Sequence, residues 1–411
     1  MINVEKRLKI LVCMWHPTPF GVVGGGWRII EEVLKRTPDN VDIHALDVKP
    51  SFLRKNSKIK IYEYSLPTFL KTIEEKNFIL SRILSWILSA FLLTIAAIKL
   101  HEKEEFDKVY VPIAELSFTL VPAIALKMVF RKKIRVIISI FNIRKPEETL
   151  RVLYLNFIRQ GYSTISSLIS SILIIYTHKI VVVYANRVNR VITLSNYLRK
   201  MLKILGIRRI IKVVPIGIHS QYIKEIPSQR KVYEAIFVGR HSTEKGVYDL
   251  IKAWEIVVGQ YHKAKVLLVG LSSNTARATL IHEIHTRKLS ENIELYGPES
   301  DYGKVIKLIK GSRIFVFLSV AETWGIASIE GLACGLPVVA YDLPVYNENI
   351  KDCESVFLVP IANYHKAADK IIQLLNEDKY NFAKLSDRAI KFSNKFDWDI
   401  RAKKFFHHLI N

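Results

Sequence analysis

Short runs of β-branched and other apolar residues alternate with longer stretches of helical period along most of this chain. In the first half, Lys9–Met14, Val41–Leu46, Lys108–Val111, Ile134–Ile140, Val191–Leu194 and Ile211–Val214 predict strands. Between them, Trp27–Arg36, Asn77–His101, Leu116–Phe130, a stretch within Glu147–Tyr184, and Asn196–Leu205 predict helices. The second half repeats the pattern. Strands are predicted at Ala235–Val238, Lys265–Val269, Ile293–Tyr296, Ile314–Leu318 and Pro337–Tyr341. Helices are predicted at Val247–Tyr261, Thr275–Lys288, Tyr302–Gly311 and from near Trp324. Strands joined through helices pair in parallel, because a parallel pair needs a crossover of a dozen or more residues. The expected fold is therefore α/β, with two doubly wound domains in tandem. The join is expected near Pro215–Gln229, where Gly217 and Pro227 interrupt the pattern.

Two apolar stretches need separate treatment. Asn77–Ile98 and Gln160–His178 approach the roughly 20 residues that cross a bilayer. The second carries five serines, and each stretch lies between strands of one expected sheet, which a span would tear apart. Buried or interfacial helices are the expectation for both.

The 411 residues are half hydrophobic and 24% charged, which suits packed domains and excludes a disordered chain. Three scattered cysteines, Cys13, Cys334 and Cys353, form neither a disulfide framework nor a zinc motif, and suggest a reducing, cytoplasmic setting. The opening segment reads as a first strand rather than a signal peptide.

The charge is unevenly placed. Residues 1–217 hold 35 basic and 16 acidic side chains, a balance of +19 out of +23 for the whole chain. From Thr149 to Lys224 there are 12 Lys or Arg and no acid. Such one-sidedness points to an anionic partner: lipid, nucleic acid or a phosphorylated substrate. No zinc finger, RRM or KH signature is present, so nucleic acid is not expected.

Three clusters carry candidate chemistry. HPTPFGVVGGGWR (His16–Arg28) follows the first strand and places Gly24, Gly25 and Gly26 before a helix, where backbone N–H groups approach an anion closely. A flexible strand-to-helix turn is the plain alternative. VGRHSTEKG (Val238–Gly246) follows another strand. Its Gly239 opens a turn, and Arg240 and Lys245 stand five apart beside a helix start, suited to clamping a diphosphate. AETWGIASIEGLACGLP (Ala321–Pro337) is the most specific. Glu322 and Glu330 are eight apart, and amides near Gly325, Ile326 and Ala327 open a helix. Carboxylates in an otherwise apolar run are costly to bury unless they bind something, and sugar hydroxyls are natural partners.

These motifs resemble the retaining, nucleotide-sugar-dependent glycosyltransferases of family four, the group 1 GT-B type. The E-x7-E motif matches at Glu322 and Glu330, and GR-x4-KG matches at Gly239, Arg240, Lys245 and Gly246. Asp249–Trp254, Arg190–Leu198, Val213–Ile218, Pro17–Gly26 and Lys395–Ile410 resemble further family segments in the same order.

The resemblance implies a GT-B fold, two Rossmann-like domains facing across a cleft. Residues 1–217 would form an acceptor-side domain, residues 218–395 the nucleotide-sugar domain, and a last helix at 396–411 would pack back on the first. Arg240 and Lys245 would hold the donor diphosphate, Glu330 the ribose and Glu322 the donor sugar. The amides of Gly325, Ile326 and Ala327 would meet sugar and phosphate, and Gly25 and Gly26 would let the first loop close. No metal and no resident cofactor are implied, the nucleotide sugar being a substrate.

The acceptor side departs from the family pattern. Phe141 and Tyr110 stand near positions where relatives carry histidines, and the segment after the sixth strand reads Pro215-Ile216-Gly217. His16 and His241 lie beside the motifs, with structural roles the commoner outcome for lone histidines. The expected function is sugar transfer to a glycan or lipid-linked acceptor, by a peripheral enzyme at the cytoplasmic face of an anionic membrane. A non-catalytic nucleotide-sugar-binding or scaffold protein of the same fold is the alternative.

Overall fold

Every strand pairing among the described residues is parallel, as the strand–helix alternation requires. The computed structural model describes residues 7–13, 25–47, 59–63, 79–113, 119–142, 146–147, 150, 154, 164–270 and 274–411. The chain divides into two compact units. One comprises Met1–Pro146, Ile172–Pro215 and Arg401–Asn411, and the other Glu147–Ser171 and Ile216–Ile400.

The first unit contains β1 (Leu8–Cys13), α1 (Gly25–Leu34), β2 (Val41–Asp47), β3 (Ile59–Glu63), α2 (Ile79–Glu104), β4 (Lys108–Val111), α3 (Leu120–Phe130), β5 (Arg135–Ser139), α4 (Thr164–Ala185, shared with the second unit), β6 (Arg190–Thr193), α5 (Asn196–Ile204) and β7 (Ile211–Val213). Its sheet runs β3-β2-β1-β4-β5-β6-β7. Strand alternation sends side chains to opposite faces. On β4, Val109 and Val111 enter a core with Leu93 and Ala97 of α2, Leu120 and Ala123 of α3, Val181 of α4 and Leu198 of α5. Tyr110 points the other way, edge-on to Phe405, with ring centroids 5.6 Å apart. The Lys108 ammonium donates to the carbonyls of Leu409 and Ile410. Arg190 donates to the His408 carbonyl at 2.5 Å. Cations are favourable at helix C-termini, so these contacts anchor the last helix, α14 (Trp398–Ile410), among residues of the first unit.

The described residues of the two apolar stretches in the sequence belong to α2 and α4. Within α4, Ser167–Ala185 is long and apolar enough to cross a membrane by length and composition. Yet it connects β5 to its neighbour β6, which pair from Ile137 to Ser139. Val181 and Ala185 are fully buried in the core.

The second unit contains α6 (Ser220–Glu225), β8 (Tyr233–Val238), α7 (Val247–Gln260), β9 (Val266–Val269), α8 (Asn274–Thr286), β10 (Ile293–Gly297), α9 (Tyr302–Lys310), β11 (Ser312–Phe317), α10 (Ile326–Ala333), β12 (Val338–Tyr341), α11 (Pro344–Asn349), β13 (Val356–Val359), α12 (Tyr364–Leu375) and α13 (Lys379–Ser393). Its sheet runs β10-β9-β8-β11-β12-β13. This repeats the order of the first six strands of the other sheet, the doubly wound Rossmann arrangement.

The predicted strands are all present, within two residues at each end. The structure adds β3 and β13, both edge strands. β3 reads IKIYE, with charges breaking its apolar run, and β13 is only partly buried over Val356–Leu358. Central parallel strands, covered on both faces, show continuous apolar runs; Lys60 and Glu63 interrupt that of β3, whereas β13 reads VFLV. The expected join also contains the short α6, where the sequence showed no period. The first glycine cluster differs as well. Gly25 and Gly26 are already in the first turn of α1 rather than ahead of it, whereas Gly24 and His16 lie outside the described residues.

Candidate active site

In an open doubly wound sheet, ligands bind beyond the carboxyl ends of the strands where the strand order reverses. In the second sheet that point lies between β8 and β11. Both C-terminal sequence clusters begin there. β8 runs into Gly239-Arg240, and β11 runs into Leu318–Glu322.

The two loops are tied together. Lys245 Nζ lies 2.5 Å from Glu322 Oε1, with both side chains largely buried. The carbonyl of Glu244 accepts from the Val320 amide at 2.9 Å and from Ser319 Oγ at 3.0 Å. Ser319 is fully buried, and its hydroxyl also reaches the Ala321 carbonyl at 3.0 Å. Approach this close demands glycine at position 246, where φ is +73° and an added Cβ would lie 1.7 Å from the Leu318 carbonyl oxygen. Lys245 also stands 5.8 Å from the centre of the Phe317 ring.

Arg240 belongs to the same loop but projects outward, its side chain 60% exposed and 3.9 Å from Glu244. A guanidinium there is held loosely and is open to an anion. His241 is buried against Phe237, and neither ring nitrogen has a hydrogen-bond partner. Burial, reinforced by the nearby Arg277 charge, pulls its pKa down to about 4, so the ring is neutral near pH 7.

Beyond Glu322 the chain turns into α10 at Gly325, which has φ +80°. An added Cβ there would lie 2.4 Å from the Tyr346 ring. Ile326 and Ala327 form the first turn of α10, with amides free of the intrahelical ladder that begins at its end. Glu330 sits one turn further along, buried at 4% exposure. Tyr346 packs beneath, its hydroxyl 3.2 Å from Ser328 Oγ. Its pKa is raised by burial and by the Glu322 charge, so the hydroxyl stays protonated.

Of the residues singled out in the sequence, the structure joins Lys245 to Glu322 directly. It puts Gly239, Arg240 and Lys245 on one switch-point loop, and Glu322, Gly325, Ile326, Ala327 and Glu330 on the other loop and its helix. Gly25 and Gly26 belong to α1 in the other unit. Ser319, Tyr346 and the Glu244 carbonyl escaped the sequence reading. Each acts across a long sequence separation, and no local spacing signals it. On the first sheet, Tyr110 is fully buried and its hydroxyl meets Ser139 Oγ at 2.7 Å, while Phe141 is also buried. Among the described residues no group of three or more His, Cys, Asp or Glu side chains could hold a metal ion.

Comparison with known proteins converges on this region. Residues 220–395 match the family model described as glycosyl transferases group 1. The matched segment contains every candidate site residue except Gly25 and Gly26. The chain is 26% identical over 42% of its length to a poly(glycerol-phosphate) alpha-glucosyltransferase of Bacillus subtilis, covering 25% of that protein. It is 24% identical over 46% of its length to a phosphatidyl-myo-inositol mannosyltransferase of Mycobacterium leprae, covering 51% of that protein. The alignments thus span from a quarter to about half of these curated relatives. The crystal structure of Anabaena HepE in complex with UDP-glucose superposes with a TM-score of 0.71 at 18% identity, covering 98% of this chain and 99% of that one. The fold is therefore GT-B, with two Rossmann-like doubly wound domains.

Proposed function

We propose that this protein is a retaining glycosyltransferase, moving a sugar from a nucleotide-sugar donor to a glycan or lipid-linked acceptor at the cytoplasmic face of a membrane. The observation that carries the reading is the Lys245–Glu322 pair, which ties both switch-point loops together at the N-terminus of α10 within the segment that matches the group 1 model.

Breaking a sugar–phosphate bond builds negative charge on the departing diphosphate and positive charge on the sugar ring. In this reading the exposed Arg240 fork binds the diphosphate, and Lys245 supplies a second cation. An ammonium has three donors, and Glu322 occupies one of them. Preorganised cations and helix-terminal amides stabilise developing charge without further reorganisation. The amides of Gly325, Ile326 and Ala327 serve that purpose, so the proposed mechanism needs no metal. Glu330 accepts from ribose hydroxyls and Glu322 from the donor sugar. Retention follows when the leaving phosphate takes the acceptor's proton on the same face of the sugar. Gly25 and Gly26 complete the donor site in this assignment. Residues 1–217 with 396–411 act as the acceptor domain and residues 218–395 as the donor domain. The relatives named for poly(glycerol phosphate) and phosphatidyl-myo-inositol support a membrane-face acceptor, as does the basic first half.

A second reading, a nucleotide-sugar-binding protein without turnover, is favoured by one observation. Tyr110 and Phe141, near the expected acceptor-side histidine positions, are both buried.

Donor binding and hydrolysis across UDP-, GDP- and ADP-sugars, with and without chelator, test the proposal. Wild type should bind one donor selectively, and Glu330→Ala and Arg240→Ala should each weaken that binding at least tenfold. Binding without turnover across an acceptor panel would establish the second reading. Failure to bind any nucleotide sugar would sink both.

A further inference from the structure

We infer that the outer surface of the α2–α5 helical layer docks on an anionic phospholipid bilayer, an inference that rests on the membrane-face reading above. The inner sides of these four helices share one core against one face of the first sheet. Their opposite sides therefore form a single outer surface.

That surface is apolar where a solvated layer would be polar. On α2, Ile87, Phe91 and Ile95 recur every four residues and are 61%, 61% and 38% exposed. On α3, Met128 and Val129 are exposed. On α4, Ile172, Tyr176, Ile180 and Val183 lie at helical spacing along one side, all exposed. On this helix Ser167 and Ser171 are buried while Leu168, Ile169, Ile172, Ile180 and Val183 are exposed, the reverse of a solvated face. Single exposed apolar residues are ordinary, but stripes on two helices of one layer mark an interaction surface.

The charges select the partner. α3, α4 and α5 carry no acidic residue, and the acids of α2 are confined to its last turn, at Glu102 and Glu104. Lys99, Lys179, Lys200 and Lys203 are exposed on these helices, and the exposed Arg208 and Arg209 follow α5. A second copy of the chain would bring the same cations against them, which disfavours self-association. Anionic headgroups complement the cations, while aliphatic side chains enter the headgroup–acyl boundary.

Flotation of the full chain with phosphatidylcholine vesicles, with and without phosphatidylglycerol, tests this at low and high salt. Two triple variants are compared with wild type: Ile172→Ser/Tyr176→Ser/Ile180→Ser and Lys179→Glu/Lys200→Glu/Lys203→Glu. All six positions are exposed and none belongs to the donor loops, so nucleotide-sugar binding and the thermal midpoint report an intact fold. Wild type should bind phosphatidylglycerol vesicles in a salt-sensitive manner, and each triple should lose at least tenfold with donor binding unchanged. Should the serine triple fail to fold, the glutamate triple, confined to exposed lysines, gives the same readout. Vesicle binding kept within twofold by a folded triple overturns the assigned surface and leaves the membrane-face reading standing. Wild type that binds no vesicle overturns both, with donor binding still judged separately.

Discussion

Lys245 Nζ and Glu322 Oε1 meet at 2.5 Å across 77 positions of sequence, joining the loops that leave β8 and β11. The side chains are 17% and 9% exposed, so neither charge is well solvated by itself. The pair fixes one loop against the other at the point where the strand order reverses.

Removing either partner leaves the other as a poorly compensated charge, at a cost of about 3–5 kcal/mol for a buried pair. Lys245→Met and Glu322→Gln should each lower stability by an amount near the bottom of that range. The double variant should lose less than the sum, with a coupling above about 1 kcal/mol. Urea denaturation of the four proteins measures the cycle, and additive losses would refute the coupling.

Gly246 and Gly259 make a contrasting pair on α7 and its approach. At Gly246 a Cβ would meet the Leu318 carbonyl at 1.7 Å with φ at +73°, whereas at Gly259 no atom lies within 4 Å. Gly246→Ala should destabilise by at least about 2 kcal/mol, through strain and displacement of the β11 loop. It should also weaken donor binding. Gly259→Ala, in the last turn of a helix, should stabilise by about 0.4–1 kcal/mol. Thermal midpoints moving in the same direction would contradict this.

His241 predicts a pH dependence. Its folded pKa is lowered to about 4, by burial first and then by Arg277, against an ordinary value of 6.5. Between these values the unfolded chain binds more protons than the folded one. Stability at this site is therefore fully present above about pH 6.5 and is lost as pH falls toward 4. Each pKa unit is about 1.4 kcal/mol, so the site accounts for about 3 kcal/mol across that window. His241→Leu should flatten this part of the stability–pH curve. It should also raise stability at pH 7, because neither ring nitrogen has a partner to lose. An unchanged acid limb in the variant would show that other groups carry it.

The elements of this protein are legible in its sequence because central parallel strands are buried on both faces. Their apolar runs at β4, β8 and β12 need no tertiary information. The candidate-site motifs are legible for a related reason: each is a short segment directly after a strand, so its chemistry and position travel together in the chain. Edge strand β3 was less visible because Lys60 and Glu63 break its apolar run; β13 reads VFLV, and its omission has no such cause. Local pattern does not encode the pairing of Lys245 with Glu322, the Ser319 hydroxyl on the Glu244 carbonyl, or Tyr346 under Gly325. The first two contacts exist only once β8 and β11 lie side by side, and the third once β11 lies beside β12. The outward turn of Ile172, Tyr176 and Ile180 was likewise undecided, because an apolar helix looks the same in sequence whichever side the sheet covers. Strand adjacency and burial are properties of the assembled sheet, and there the tertiary structure alone decides.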